Sequence, residues 1–470
     1  MNTVPAAAEL PRALRDRLAA IAGPGNLLTA PADCWPYGYD NSRRHALPQA
    51  VVFATDEAQV AALAECCHDT GTVLTARGRG TGTSGATVPD HGGVVLSFER
   101  MDRILQIDPD NRLAVVQPGV TNGALQQALA ASGFFWPPDP SSAATCTIGG
   151  NLAYNSAGPR AVKYGTPRDN TLGLRAVDGR GRVLRTGVLT TKGVVGYDLT
   201  RLLIGSEGTL GLITEATLRL TPLPETKRTL RVTYGDIHGA AAAVSAIMAQ
   251  PITPCALEFM DARALEMVSR YAGLELPAGA GALLMIEVDG PEAGIEAALA
   301  AVAEAARAGA PIELRRANGA AEVAALWKTR KALSPALRHV APKKINEDVV
   351  VPVSRMGAFI EGLDRLGREH AITIVNFGHA GNGNIHVNLL IDPDDPDEVA
   401  RAATCLDAVF ALVISLGGTL SGEHGVGLEK RDFVDRELDP VALALMREIK
   451  QVFDPAGILN PDKGLPPAGD

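Results

Sequence analysis

Along PQAVVFATDEAQVAALAECCHDTGTVLTARG the spacing of apolar positions changes twice. A continuous apolar run predicts a strand from Ala50 to Ala54, a helical period follows Thr55 and Asp56, and a second apolar run predicts a strand from Val73 to Ala76. This is a small βαβ-like opening. From Arg77 to Gly211 the chain is dense in glycine, with short β-type runs such as VVLSF, LAVVQPG and RVLRTG between turn residues, which suggests an α+β domain with many loops.

The text shifts again at TPLPETKRT. Pro222 and Pro224 interrupt any regular element there and the glycine-rich stretch ends, so a domain boundary is expected near Pro224. Beyond it RTLRVTYG, an alanine-rich helix around Ala240 to Met248, CALEFM, a helix from Asp261, ALLMIEVDG and a helix from Pro291 to Ala308 alternate strand and helix. The pattern predicts a sheet covered by helices on one face, acting as a lid over the first domain. The expected domains are 1–47, an N-terminal helical segment; 48–224; 225–420; and 421–470.

Length and composition allow this. The 470 residues are 46% hydrophobic and 21% charged, enough for two or three globular domains. A net charge of −9, with no basic run, argues against nucleic acid as a partner. The start, MNTVPAAAELPRALRDRL, reads as an amphipathic helix and not a signal peptide, because Arg12, Arg15, Asp16 and Arg17 break the apolar stretch a signal needs. Other apolar runs are too short to cross a bilayer, so a cytoplasmic protein is expected, with peripheral contact at the inner membrane left open. The cysteines Cys34, Cys66, Cys67, Cys146, Cys255 and Cys405 have no CxxC spacing for zinc or an iron–sulfur cluster and are expected to be buried thiols.

Three glycine-rich segments carry candidate chemistry. In the first, Arg77-Gly78-Arg79-Gly80-Thr81-Gly82-Thr83-Ser84-Gly85 follows a predicted strand, and its glycines let backbone N–H groups converge on a diphosphate. No helix opens inside it, unlike the Rossmann fingerprint. The second, PPDPSSAATCTIGGNLAYNSAG, offers Ser141, Ser142, Thr145, Thr147, Gly149, Gly150 and Asn151 to a polar cofactor; the third, YDLTRLLIGSEGTLGLIT, places Gly205, Ser206, Glu207, Gly208 and Gly211 before Ile213. Each alone would pass for a turn or an Ω-loop.

In this order the three segments closely resemble the FAD-binding domain of the vanillyl-alcohol oxidase superfamily, with its PCMH-type fold, and especially the branch holding D-lactate dehydrogenases, D-2-hydroxyglutarate dehydrogenases and glycolate oxidase large subunits. The resemblance spans nearly the whole chain. It implies a two-subdomain FAD domain, then an α+β, ferredoxin-like substrate domain, and a C-terminal segment, FDPAGILNPDKG, in which Asn460, Pro461 and Lys463 return to the FAD domain. It also implies that Arg79 to Gly82 and Ser84 lie at the FAD diphosphate. Pro138, Asp139, Thr145, Gly149, Asn151 and Ser156 would flank the flavin and ribityl chain, with Gly208 and Ile213 nearer the adenine. Arg77, Gly78, Gly85, Gly150, Gly158, Glu207, Gly211 and Asn460 complete the expected cofactor set. Members that attach FAD covalently through the first loop carry a histidine there; this loop has none, so FAD is expected to be dissociable.

A second cluster lies late in the chain. VNFGHAGNGNIHVN sets His379 and His386 seven apart across a glycine turn, and SGEHGVG adds Glu423 and His424. Two imidazoles and a carboxylate with open positions suit a catalytic divalent ion, zinc or manganese, with His379, His386 and Glu423 as ligands. Any one of these histidines alone would more simply be a hydrogen-bonded core residue. The pattern also resembles the family's GHxGDGNxH and SGEHGxG motifs, with Asn382 where aspartate is usual. That exchange removes a negative charge beside the ligands.

A flavin accepts a hydride from an alcohol carbon as the hydroxyl proton leaves, so the site needs a base and a group to stabilise the developing alkoxide. The metal would do the second; His424, facing away from Glu423 if the backbone is extended, is the candidate base. A 2-hydroxy acid also presents a carboxylate. Arg330, in LWKTRKALSPAL, stands where the resemblance implies a substrate-binding arginine, although a solvated helix charge between Lys328 and Lys331 reads equally well from sequence. Asn388 shares a strand face with His386, and Lys343 and Lys344 are candidates for a second acidic group.

The leading expectation is an FAD-dependent dehydrogenase of a D-2-hydroxy acid, D-lactate or D-2-hydroxyglutarate. It would pass electrons to an external quinone, cytochrome or electron-transfer flavoprotein, since the chain has no iron–sulfur or NAD motif of its own. One alternative is a glycolate oxidase large subunit, active only within a complex. Another is a non-redox transferase resembling alkyl-dihydroxyacetone-phosphate synthases, which carry a histidine run where this chain has only Glu423-His424. A homodimer is compatible with any of these.

Overall fold

In the computed structural model, which describes residues 9–467, the first elements follow the predicted order: strand Ala50–Phe53, helix Glu57–Thr70 and strand Leu74–Arg77. Asp56 caps the helix by accepting a hydrogen bond from Gln59 N–H. Val60, Leu63, Ala64, Cys66 and Cys67 are buried in a core that also takes Leu14 and Leu18 from helix Arg12–Ala22, each large apolar side chain being worth roughly 1.5–3 kcal/mol. The expected N-terminal helix thus starts at Arg12; residues 1–8 lie outside the described residues. All six cysteines are buried free thiols.

Two units make up the chain. The first comprises Met1–Ala157, Gly165–Leu223 and Glu423–Asp470, the second Gly158–Tyr164 and Pro224–Gly422. Within the first, one four-stranded sheet has the order Leu27–Leu28, Ala50–Phe53, Val94–Ser97, Leu74–Arg77, its last three strands parallel. A five-stranded antiparallel sheet has the order Ile104–Asp108, Leu113–Val116, Leu212–Arg219, Thr171–Val177, Val183–Gly187. The chain's last stretch closes onto the first sheet: Leu74 N–H donates to Ile458 O, and Asn460 N–H donates to Leu74 O. Half-buried Lys450 bonds Thr209 O and Leu459 O and pairs with buried Asp454.

Pro222 sits in a two-residue edge strand, Thr221–Pro222, against Phe134–Phe135, where its missing donor costs nothing. The unit boundary follows directly, between Leu223 and Pro224. A second crossing was not legible in the sequence: Gly158–Tyr164 belongs to the second unit, where Lys163 and the Tyr164 hydroxyl both bond the Asp289 carboxylate.

The second unit is built on a seven-stranded antiparallel sheet, ordered Glu313–Arg316, Thr226–Tyr234, Ala282–Gly290, Ala256–Asp261, Thr373–His379, Asn384–Ile391, Lys343–Val350. The first four follow the β-α-β-β-α-β plan of a ferredoxin-like fold, with helices Ile237–Ala249 and Glu292–Ala306 as its crossovers and helix Ala262–Ala272 added between the second and third strands. Helices are not confined to one face, as the sequence reading expected. Helices Ala262–Ala272 and Gly319–Ala336 pack Leu265, Val268, Leu326 and Leu333 against Met260, Met285, Val375 and Phe377 on the other. The reason lies in the strands: Ala256–Asp261 and Asn384–Ile391 are buried at every position, so both faces need cover.

Candidate active site

The first unit contains a cavity bounded by all three glycine-rich segments. Arg77 and Gly78 come from the first; Thr147, Gly149, Gly150 and Tyr154 from the second; Glu207, Gly208, Gly211 and Ile213 from the third. Helix Ile148–Tyr154 opens at the cavity because Thr147 accepts from Gly150 N–H as its N-cap. The buried hydroxyls of Ser84 and Tyr154 lie beside each other, and beyond that pair neither meets a hydrogen-bond partner among the described residues. A polar cofactor fits such a lining, since an unsatisfied buried hydroxyl is costly without one.

Other expected cofactor residues build the cradle instead of lining it. The Arg77 guanidinium donates to Tyr39 O at 2.7 Å and Pro36 O at 3.3 Å and underlies Gly80, whose φ of +64° and lack of Cβ permit that approach. Arg79 turns outward to Glu99 at 2.8 Å, so this loop offers backbone amides, not that cation. Thr81 O and Gly82 O accept from Asn41, and Gly85 N–H donates to buried Asp40. Pro138 O accepts from Asn122, Asp139 N–H donates to Ala157 O, and Thr145 bonds Ser142 O. Asn151 is buried between Asn122 and Cys146. Asn460 donates to Ala86 O and Glu207 O, tying the C-terminal stretch to the first and third segments. Gly158 lies in the segment assigned to the second unit.

Glu207 is buried, and its carboxylate accepts from Val426 N–H at 2.6 Å and Gly427 N–H at 2.8 Å. Burial pushes its pKa up to about 7, against the lowering effect of those amides. Gly425, φ +82°, leaves room for this carboxylate where any side chain would overlap it. Ser156 Oγ donates to Glu423 O.

In the second unit, His379 and His386 lie on neighbouring strands of a hairpin turned by Ala380–Asn382 and Gly383. His379 pairs with Asn384, and His386 with Phe377, so the two imidazoles sit diagonally on one face, ring centroids 5.3 Å apart. Asn382 is exposed on the turn. Glu258, directly across from His379 in the sheet, is 1% exposed. One carboxylate oxygen meets His379 Nδ1 at 2.5 Å and the other accepts from Arg330 Nε at 2.8 Å. Burial would raise this carboxyl's pKa, but His379 and Arg330 hold it below the usual value. Arg330 is therefore no solvated helix charge. It is 11% exposed, lies 4.7 Å from the Phe377 ring centroid, and its terminal nitrogens bond nothing among the described residues.

Asn388 does not present free amide hydrogens. Its Nδ2 donates to Val375 O and His386 O, and its Oδ1 accepts from Asn346. Lys343 and Lys344 open the edge strand, both half-buried.

The unit boundary falls on the Gly422–Glu423 peptide. Gly422 is held to the second unit by Asp348, whose carboxylate accepts from Gly422 N–H at 2.9 Å and Ser421 Oγ at 3.1 Å. One ligand atom each from His379, His386 and Glu423 lie within 4.8 Å of one another. The backbone bends at Gly422, Glu423 and His424 instead of running extended, so alternation does not separate His424 from Glu423 as expected from the sequence.

Glu258 was missed by sequence reasoning. Its signal was a carboxylate inside the apolar run CALEFM.

Residues 223–464 match the family model of FAD linked oxidases, C-terminal domain, and residues 48–187 match the FAD binding domain. This chain belongs to the FAD-linked oxidases. As such an oxidase it is 39% identical over 451 residues to glycolate oxidase subunit GlcD of Bacillus subtilis, covering 96% of each chain. It is 35% identical to D-2-hydroxyglutarate dehydrogenase of Stutzerimonas stutzeri, covering 96% and 98%. This FAD-linked oxidase also shares the fold of p-cresol methylhydroxylase, TM-score 0.78 at 19% identity with 97% of each chain covered. It is an FAD-binding oxidoreductase of the branch that includes glycolate oxidase subunits, D-2-hydroxyglutarate dehydrogenases and D-lactate dehydrogenases. None of its described helices is long and apolar enough to cross a membrane.

Proposed function

We propose that this FAD-linked oxidase converts a D-2-hydroxy acid, of the D-lactate or D-2-hydroxyglutarate class, to the 2-oxo acid, with a divalent metal held by His379, His386 and Glu423. The observation that carries the reading is the convergence of those three side chains on one point, a donor set suited to zinc or manganese with positions left for substrate. FAD supplies the hydride acceptor and the metal the charge that stabilises a developing alkoxide. His424 takes the hydroxyl proton. Arg330 offers its two terminal nitrogens as a fork to the substrate carboxylate, and Lys344 is the candidate for a second acidic group. Electrons leave to an external acceptor: a quinone, a cytochrome or an electron-transfer flavoprotein.

Anaerobic bleaching of the flavin with a panel of D- and L-2-hydroxy acids tests this. Bleaching by a D-acid, lost in a His424→Ala variant that retains FAD, is the expected result; no bleaching by any acid, or full turnover in the variant, overturns it.

The 39% identity to a glycolate oxidase subunit favours a second reading, in which the chain works only inside a complex. Glycolate turnover by the purified single chain with an artificial acceptor would argue against that.

A further inference from the structure

A carboxylate buried in a sheet core costs several kcal/mol unless both oxygens are bonded, and Glu258 meets that requirement with two groups of different purpose. Leu257 and Phe259 on either side of it in the strand Ala256–Asp261 are apolar, and the strand is buried along its length. One oxygen faces His379 Nδ1 and the other Arg330 Nε. We infer that Glu258 is a positioning residue that orients His379 toward the metal and Arg330 toward the substrate carboxylate at once, so that metal binding and acid recognition share one support. This rests on the metal site proposed above.

The geometry gives each half of the inference. With Nδ1 engaged by a carboxylate, Nε2 is the ring nitrogen left to His379 for an ion shared with His386 and Glu423, the arrangement by which outer carboxylates fix the tautomer and direction of a ligating imidazole. With Nε engaged and its Cζ over the Phe377 ring, 4.7 Å from the centroid, Arg330 cannot swing freely, and its terminal nitrogens stay aimed as a pair. Glu258 and His379 are also directly opposed across two hydrogen-bonded strands. Both partners therefore take their position from the sheet, the most rigid element of the unit, and not from a loop.

The test measures zinc affinity, by competition with a chromophoric chelator, and pyruvate affinity, by equilibrium dialysis, on purified FAD-loaded protein. Glu258→Gln should weaken zinc about 10- to 100-fold and pyruvate at least fivefold, with FAD content unchanged. Arg330→Gln should weaken pyruvate while zinc stays within threefold of wild type. Where Glu258→Gln does not accumulate as FAD-bound protein, Glu258→Asp asks the same question with the charge kept and the reach shortened, and both affinities should again fall together. Wild-type zinc binding with unchanged zinc affinity in the Glu258 variant overturns the inference alone. Absence of zinc binding in the wild type removes the metal site and the inference with it.

Discussion

The Glu207 carboxylate accepts hydrogen bonds from the backbone of Val426 and Gly427, more than two hundred residues away in the chain. Its folded pKa of about 7 lies above the ordinary value of 4.5, so the folded state holds this proton more tightly than the unfolded chain. The resulting stability is fully present below about pH 4.5 and lost as pH rises through about 7, a swing of roughly 3 kcal/mol. Glu207→Gln should flatten the pH dependence of thermal unfolding across that window; an unaltered profile would refute the assignment.

Gly80→Ala should release FAD. The added methyl would overlap the Arg77 guanidinium, at a backbone φ of +64° that itself disfavours a side chain by roughly 1–2 kcal/mol. Flavin-to-protein ratio after gel filtration should fall well below that of wild type.

Tyr154→Phe separates cofactor binding from folding. Beyond the neighbouring Ser84 hydroxyl, the buried Tyr154 hydroxyl has no partner among the described residues, so its removal should change the stability of the FAD-free protein little, while FAD affinity falls about three- to tenfold, as expected for one hydrogen bond. Equal FAD affinity by fluorescence titration would show that the hydroxyl does not face the cofactor.

Dialysis against a strong chelator should abolish activity without loss of FAD, and zinc or manganese should restore it. His386→Ala should lack stoichiometric metal by elemental analysis. Full activity in either preparation would exclude a catalytic ion at this site.

The first loop lacks a histidine between Arg77 and Gly85, and acid precipitation should therefore leave the yellow colour in the supernatant. Colour retained in the pellet would mean a covalent bond elsewhere.

Much of the fold is visible in local pattern, because capped helices such as Glu57–Thr70 and apolar strands such as Ala282–Gly290 carry their periodicity in the text. The glycine-rich segments were legible for the same reason: backbone approach requires glycine, whichever group it approaches. What could not be read is pairing at long range. Arg79 and Glu99, Arg330 and Glu258, and Lys163 and Asp289 are ion pairs whose partners are not signalled by spacing. The assignment of Gly158–Tyr164 to the second unit has the same origin, since no composition change marks the crossing. Asn388 shows the converse, a polar residue on the right strand face whose amide is already used to brace the backbone.

Because Leu74 donates to Ile458 O and accepts from Asn460 N–H, on either side of Leu459, and Asn460 links Ala86 to Glu207, the nucleotide cradle is unfinished until the ribosome has made the stretch through Asn460. Flavin capture must then be a late event in biogenesis. A cut at Pro224 would yield two fragments, neither of them a working half.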